Sequence, residues 1–392
     1  MQYKSLKSLF IIYIYCILLY SCKGTHNQPL AASLIDRDTI YTCDLSEIST
    51  KERSLKLSEL IDSFQIVYFE NSDKALFKFW KAYITEHYIG ILQDGMLPFK
   101  LFDHKGGFKC NVGSVGQGPG EYTMLYSSTI HEKDSSIWLI PFNGNCLLKY
   151  DLNGNCKVSI KTRKMHKPVI RYEKDGTLTA TNLYFKDIPG FLYLRLFRED
   201  SLRYMDEEKE YAFNAYDKEG NFSGFNHEIW FYNNTEHFTY MTTLSNQLYK
   251  YDIAAEQTRS RLSIISRPND NAYMILDELP SSFLIKIYSF DAKERKMIIA
   301  NKFTQEAYYA KIQNDFMGNL PVTDFAPRDG WYYEMFEPIE LIDLIETHLS
   351  DKALQMEDKK KLEMLLSSID EEANNILFMG KLKQKNICFK KK

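Results

Sequence analysis

Five segments of the chain repeat one local plan, and that plan limits the fold more than any other feature. They read KLFDHKGGF, LKYDLNGNC, NAYDKEGNF, YKYDIAAEQ and YSFDAKERK. Each gives an aromatic residue, then Asp, then a short turn, then another strand-like run. The aromatics are Phe102, Tyr150, Tyr216, Tyr251 and Phe290, separated by 48, 66, 35 and 39 residues. Those separations scatter about the ~40–50 residues of a four-stranded propeller blade. A hairpin between the third and fourth strands of a blade suits the plan. The aromatic closes a strand on its packed face. Asp103, Asp151 and Asp217 can accept hydrogen bonds from N–H groups two residues on, and Gly106, Gly154 and Gly220 supply positive φ. One aspartate per repeat at a turn reads as structure rather than as a set of metal ligands.

The intervening runs agree. SSIWLIPF, HFTYMTTL and FLIKIYSF read as buried or half-buried strands. With 27 Tyr and 25 Phe in 392 residues, the chain can fill a large β core. Helical spacing is confined to the last part. Leu341, Ile342, Leu344, Ile345 and Leu349 share one face, and Leu362, Leu365, Leu366 and Ile369 share another. NNILFMGKLK then returns to strand character, as a strand that closes a ring and removes an open edge would. It is expected to complete the first blade.

The glycine-rich stretch GSVGQGPGEY, 113–122, resembles a phosphate-binding loop, but its residues argue against one. It has neither the Lys nor the Ser/Thr of a P-loop, and the third glycine of G-x-G-x-x-G falls on Glu121. Pro119 has no N–H to give, and strand-like sequence follows where a helix is needed. Gly113, Gly116, Gly118, Pro119, Gly120, Glu121 and Tyr122 are therefore read as a structural loop between two blades. Gly118 is expected at positive φ.

The N-terminus reads as an export signal. Lys4 and Lys7 precede an apolar run from Leu9 to Tyr20, then Ser21-Cys22. Twelve apolar residues are too few to span ~30 Å as a helix, and they match a signal-peptide core. A small residue before Cys resembles a bacterial lipoprotein box, which makes Cys22 the lipid attachment site; an uncleaved anchor is the alternative. Residues 1–21 are then the signal and 22–50 a lipidated tether and entry segment. Of the other cysteines, Cys43, Cys110, Cys146, Cys156 and Cys388 show no CxxC or zinc spacing, and Cys146 and Cys156 flank a hairpin. A net charge of −3 points to no nucleic-acid partner.

With these segments in place, the chain resembles the six-bladed β-propeller lipoproteins of Gram-negative gut anaerobes, relatives of the NHL-repeat propellers labelled as domains of unknown function. LKLSELIDSFQIVYFEN (55–71) resembles the family's entry segment, and FKLFDHKGGFKCNVGSVGQGPGEY (99–122) is the most specific match. NDFMGNLPVTDFAP (314–327) resembles the last blade and EEANNILFMGKLK (371–383) the closing strand. Ala373, Asn374 and Asn375 stand where the family has Asp-Asn-Pro. The resemblance implies an all-β fold of six four-stranded antiparallel blades over 51–392. A helical insertion at 337–373 precedes the closing strand at 374–383.

Function follows less directly. One expectation is a non-catalytic binding or scaffold module for protein or glycan, lipid-anchored to the outer membrane, with exposed Tyr and Trp as contacts and no cofactor. A sensor or assembly factor cannot be told from it. The alternative is a metal-dependent lyase or lactonase-type hydrolase at the central channel. His87, His131, His166, His227 and His237 show no HxH or HExxH spacing, and no GxSxG is present. Asp38-Thr39-Ile40 and Asp200-Ser201-Leu202 resemble an O-glycosylation acceptor, a pattern loose enough to occur by chance.

Overall fold

The computed structural model describes residues 28–384 apart from 36–37, 143, 187, 199–200, 206–211, 223–226, 244, 267–271 and 290–294. The signal, Cys22, Cys388, Asp200 and the Phe290 turn lie outside the described residues.

Six sheets form the blades of a propeller. Blade one runs Phe79–Ile84, Tyr88–Gln93, Phe99–Asp103, Phe108–Val112. Blade two runs Leu125–His131, Ser136–Pro141, Cys146–Asp151, Cys156–Lys161, and blade three Val169–Tyr172, Leu178–Thr181, Tyr193–Phe197, Ser201–Met205. Blade four runs Ile229–Trp230, Phe238–Thr242, Gln247–Asp252, Gln257–Ile264. Blade five has Ala272–Glu278, Ser282–Ser289, Arg295–Asn301, Ala307–Asn314 and the short Leu320–Pro321. Within each blade, strands of the meander pair antiparallel in chain order. Ile137, Trp138, Leu139 and Ile140 in the second strand of blade two are all at most 2% exposed, because both faces of that strand are covered by neighbouring blades.

Blade six closes the ring. Trp331–Phe336 pairs with Ile376–Lys381, which pairs in turn with Gln65–Tyr68 in the register Ile376↔Tyr68. The N-terminal strand therefore completes the last blade, where the sequence suggested that the C-terminal strand completes the first. Three described strands make this sheet, against the four expected. Residues 322–330 hold its axial side and meet Trp331 through a single bridge from Arg328. Helices α1 (Pro338–Leu349) and α2 (Met356–Ser367) interrupt the blade between its second and third positions. Pro338 opens α1, where a missing N–H costs nothing. Leu341, Ile345, Leu362 and Leu365 bury against Phe336, Ile376 and Phe378. The Asn pair before the closing strand also has a role. The Asn374 amide donates to Glu70 O and Ala75 O, each at 3.0 Å, and Asn375 reaches Phe77 O.

The segment read as a tether is partly structured. Leu30–Ile35 and Asp38–Cys43 form a hairpin whose second strand pairs parallel to Gln257–Ile264, widening blade four to six strands. Arg53–Lys56 pairs parallel to Ala307–Asn314 of blade five in the same manner. Parallel pairing is possible because the entry segment runs along the rim as a belt instead of turning back in a hairpin.

The repeated Asp turns are as expected in blades one, two and four. Asp103 accepts from Lys105 and Gly107 N–H, Asp151 from Asn153 and Asn155, and Asp252 from Ala254 and Ala255. Gly106 O accepts from Glu70 N at 2.9 Å and Gly154 O from Gly113 N at 3.0 Å, so each turn abuts the blade before it. A Cβ at either glycine would strike that neighbour's backbone. Two copies are displaced. The Asp217 turn belongs to a small bridged loop, Tyr216↔Phe222, between blades three and four, and open space surrounds Gly220. The last copy, outside the described residues, falls in sequence between the second and third strands of blade five. Their irregular spacing reflects this.

Candidate functional site

In an antiparallel blade, the loops after the first and third strands emerge on one face and the loop after the second on the other. On the first of these faces, a cleft of ≈ 640 Å³ opens beside the propeller axis. Blade three contributes Arg171 and Lys174, blade four Asn233 to His237 and Arg261, and blade five Glu278, Lys302 and Phe303. Asp329 and Gly330 of blade six and Tyr41 of the N-terminal hairpin complete the wall.

Glu278 is the centre of its charge. The Arg261 guanidinium donates to Glu278 Oε1 from Nε at 3.0 Å and from Nη2 at 2.6 Å, and Lys302 Nζ donates to the same oxygen at 3.0 Å. The other oxygen, Oε2, is buried with no partner among the described residues. Burial raises the Glu278 pKa, but the hydrogen bond from Arg261 and the charges of Lys302 and Arg261 outweigh it and hold the carboxyl below its ordinary range. Arg261 also donates to Thr39 O, and Asp38 takes Lys250 at 2.7 Å, which fixes the hairpin to the cleft.

Arg171 is the second pole. Its Nε faces Glu173 at 3.2 Å and its Nη2 donates to Glu236 O at 2.9 Å, while Nη1 is buried without a partner among the described residues. Its side chain is only 8% exposed. Asp329 accepts from Asn233 at 2.6 Å, and burial raises its pKa against the opposing charge of Arg328. His237 is neutralised by burial.

The structure separates the other histidines. His87 and His131 hold Glu132 and Asp134 at 2.7 Å on the surface, His166 packs edge-on against Phe185, and His227 stacks on Phe213. Among the described residues no three His, Cys, Asp or Glu side chains gather as a metal-binding group. Cys43, Cys110, Cys146 and Cys156 are free thiols. None of the four tryptophans is exposed, contrary to the expected contact surface: Trp138 and Trp331 are buried, Trp80 and Trp230 half-buried.

The glycine loop joins blades one and two. Glu121 accepts from Gly118 N at 2.8 Å and from Ser114 Oγ at 3.2 Å, and Tyr122 donates to Val112 O at 2.5 Å. Gly113 and Gly120 take positive φ of 68° and 73°. Gly118 does not, which corrects the expectation for that residue; its N–H serves Glu121 instead.

Sequence reasoning missed Arg171, Arg261, Glu278 and Lys302. One signal was available: Asp277-Glu278 interrupts the otherwise apolar strand of AYMILDELP.

The model of a domain of unknown function, DUF4934, matches residues 40–381. Among solved structures the chain is similar to a candidate exported protein of Bacteroides fragilis, at 16% identity and a TM-score of 0.59, covering 84% of this chain and 99% of that one. A DUF4221-family protein of Bacteroides vulgatus aligns at 9% identity and a TM-score of 0.43, covering 81% and 96%. At such identities the likeness concerns the fold. No curated protein matches the chain.

Proposed function

The chain belongs to the DUF4934 family, and on that premise we propose that it is an exported, lipid-tethered propeller that binds a protein or glycan without transforming it. The observation that carries this reading is the pair of buried polar atoms in one cleft, Arg171 Nη1 and Glu278 Oε2, neither of which has a partner among the described residues. A buried polar atom left without a hydrogen bond costs about 1–3 kcal/mol. A ligand offering an acceptor to Arg171 and a donor to Glu278 recovers that cost on binding. The cleft gathers residues from four blades on a rigid scaffold, the usual place for recognition on such a fold.

Cys22 provides the tether in this reading, and the hairpin at 30–43 brings the tethered end to the cleft wall. No helix among the described residues is long and apolar enough to cross a membrane. Anchoring to the outer membrane is part of the proposal.

The test is a glycan array, with crosslinking on cells for a protein ligand, using the wild type and Arg171→Gln. The expected result is a ligand whose binding the substitution weakens about tenfold or more while the melting transition is kept. An empty array with no crosslinked partner, or equal binding by both proteins, would count against the cleft.

A further inference from the structure

We infer that a second pocket, on the opposite face, binds a neutral polyhydroxylated ligand of mono- or oligosaccharide type. It lies between blades three and four, has a volume of ≈ 430 Å³, and uses the loops that follow the second strand of each blade. Strand Phe238–Thr242 shows the geometry directly. His237, before its first residue, lines the charged cleft, and Thr242, at its end, lines this pocket.

Its chemistry differs from the cleft in charge. Among the described residues its wall contains no Asp, Glu, Lys or Arg. It offers aromatic surface from Tyr184, Phe213 and Tyr249 together with the Thr242 hydroxyl and the amide oxygen of Asn246, while the amide nitrogens of Asn182 and Asn246 line it already bonded to Phe191 O and Ile264 O. His227 also lines it, stacked on Phe213 with ring centroids 4.2 Å apart. Burial, reinforced by the charge of Lys167, lowers the His227 pKa and favours the neutral ring, and its Nδ1 is buried with no partner among the described residues.

Such a wall excludes ions, because a charged ligand would lose its hydration and meet no counter-charge. A purely apolar ligand is disfavoured too, since it would strand the polar half of the lining. Sugars present apolar C–H faces and hydroxyl edges together, and aromatic rings beside amide and hydroxyl groups complement both. The volume lies within the ~300–1,000 Å³ of small-ligand sites. The side-chain hydroxyls of Tyr184 and Thr242 have no partner among the described residues, which leaves them for the ligand.

Calorimetric titration of the full chain with maltohexaose, cellohexaose, mannohexaose and xylohexaose, with hexagalacturonate as the charged control, tests this. At least one neutral oligosaccharide should bind, with an affinity that does not change with salt. Tyr184→Ala and Thr242→Val should each weaken it about tenfold, and Tyr184→Phe less, because the ring stays. Arg171→Gln, in the opposite cleft, should leave it unchanged. Thermal melts establish that each variant folds. The inference is overturned if none of the neutral sugars binds, if only hexagalacturonate binds, or if binding survives both pocket substitutions and is lost in Arg171→Gln.

Discussion

Arg328 Nη1 donates to Phe231 O at 2.7 Å, so a side chain from blade six binds the backbone of blade four across the propeller axis. The same guanidinium lies 5.7 Å from the Tyr83 ring of blade one and 5.3 Å from that of Tyr232. The centre of the ring is thus held by a cation between two aromatic faces. Arg328→Met keeps most of the apolar stem but leaves the Phe231 carbonyl without this donor. Hydrogen bonds to charged groups contribute about 1.5–3 kcal/mol, and a loss of that size is expected in denaturant unfolding, with the midpoint lowered and the slope unchanged. An unchanged midpoint would mean that the axis is held by packing alone.

The ring was legible because its signals are local. An aromatic, an Asp and a Gly within five residues encode a turn, and Phe102 and Tyr150 mark blades one and two correctly. What could not be read is where a turn sits in its blade. Asp217 satisfies the same N–H groups as Asp151 but closes a loop between blades. The turn chemistry is the same in both places, and only tertiary pairing tells them apart. The cleft was hidden for a related reason. Arg171, Arg261, Glu278 and Lys302 come from three blades, and nothing in their local sequence shows that they meet. The belt at 30–56 was missed because parallel edge pairing has no turn signature.

Gly113 and Gly118 should respond differently to substitution, although the sequence treats them alike. Gly113 has φ +68°, and a Cβ there would lie 2.7 Å from the Tyr150 ring. Gly113→Ala should cost about 1–3 kcal/mol of stability. Gly118 has no such backbone requirement, and its Cβ would meet only the flexible Glu121 carboxylate at 3.0 Å. Gly118→Ala should cost less than about 1 kcal/mol. Equal losses in the two variants' unfolding curves would contradict this account.

Buried Asp277 gives stability a defined pH dependence. Burial pushes its carboxyl up to about 7 from an ordinary 3.8, against the hydrogen bond from Asn234 and the charge of Lys286. Between these values the unfolded chain has released the proton and the folded chain retains it. The group's contribution is therefore complete below about pH 4 and falls as pH rises to about 7, by up to ~1.4 kcal/mol per pH unit. Asp277→Asn keeps an acceptor for Asn234 but cannot titrate. Relative to this variant, the wild type should lose stability between about pH 4.5 and about pH 7. Parallel curves for the two proteins would rule the assignment out.

Cys22→Ser should abolish incorporation of a labelled lipid precursor and move the protein from the membrane fraction to the soluble one. A single acyl chain gives only marginal membrane binding, so loss of a multiply acylated terminus should be plain in fractionation. Undiminished labelling in the variant would exclude this attachment site.

Closure of the ring gives the strongest test of the fold. The strand Ile376–Lys381 is central in blade six, bonded to Trp331–Phe336 on one side and to Gln65–Tyr68 on the other. Ile376, Leu377, Phe378 and Met379 are each at most 1% exposed, because blade one covers one face and helices α1 and α2 cover the other. Removing residues 374–392 would therefore strip two strand edges of their partner and open the apolar surface beneath. It would also take away Asn374, whose amide ties the strand's entry to Glu70 and Ala75. Neither remaining strand can pair with the other without closing a gap of one strand width, ~4.8 Å. The truncated chain should aggregate through those edges or unfold without a single cooperative transition. A shorter excision, residues 385–392 alone, leaves every described pairing in place and should melt with the parent. If the longer truncation stayed monomeric and melted at the parent temperature too, the two ends would not be holding the ring together.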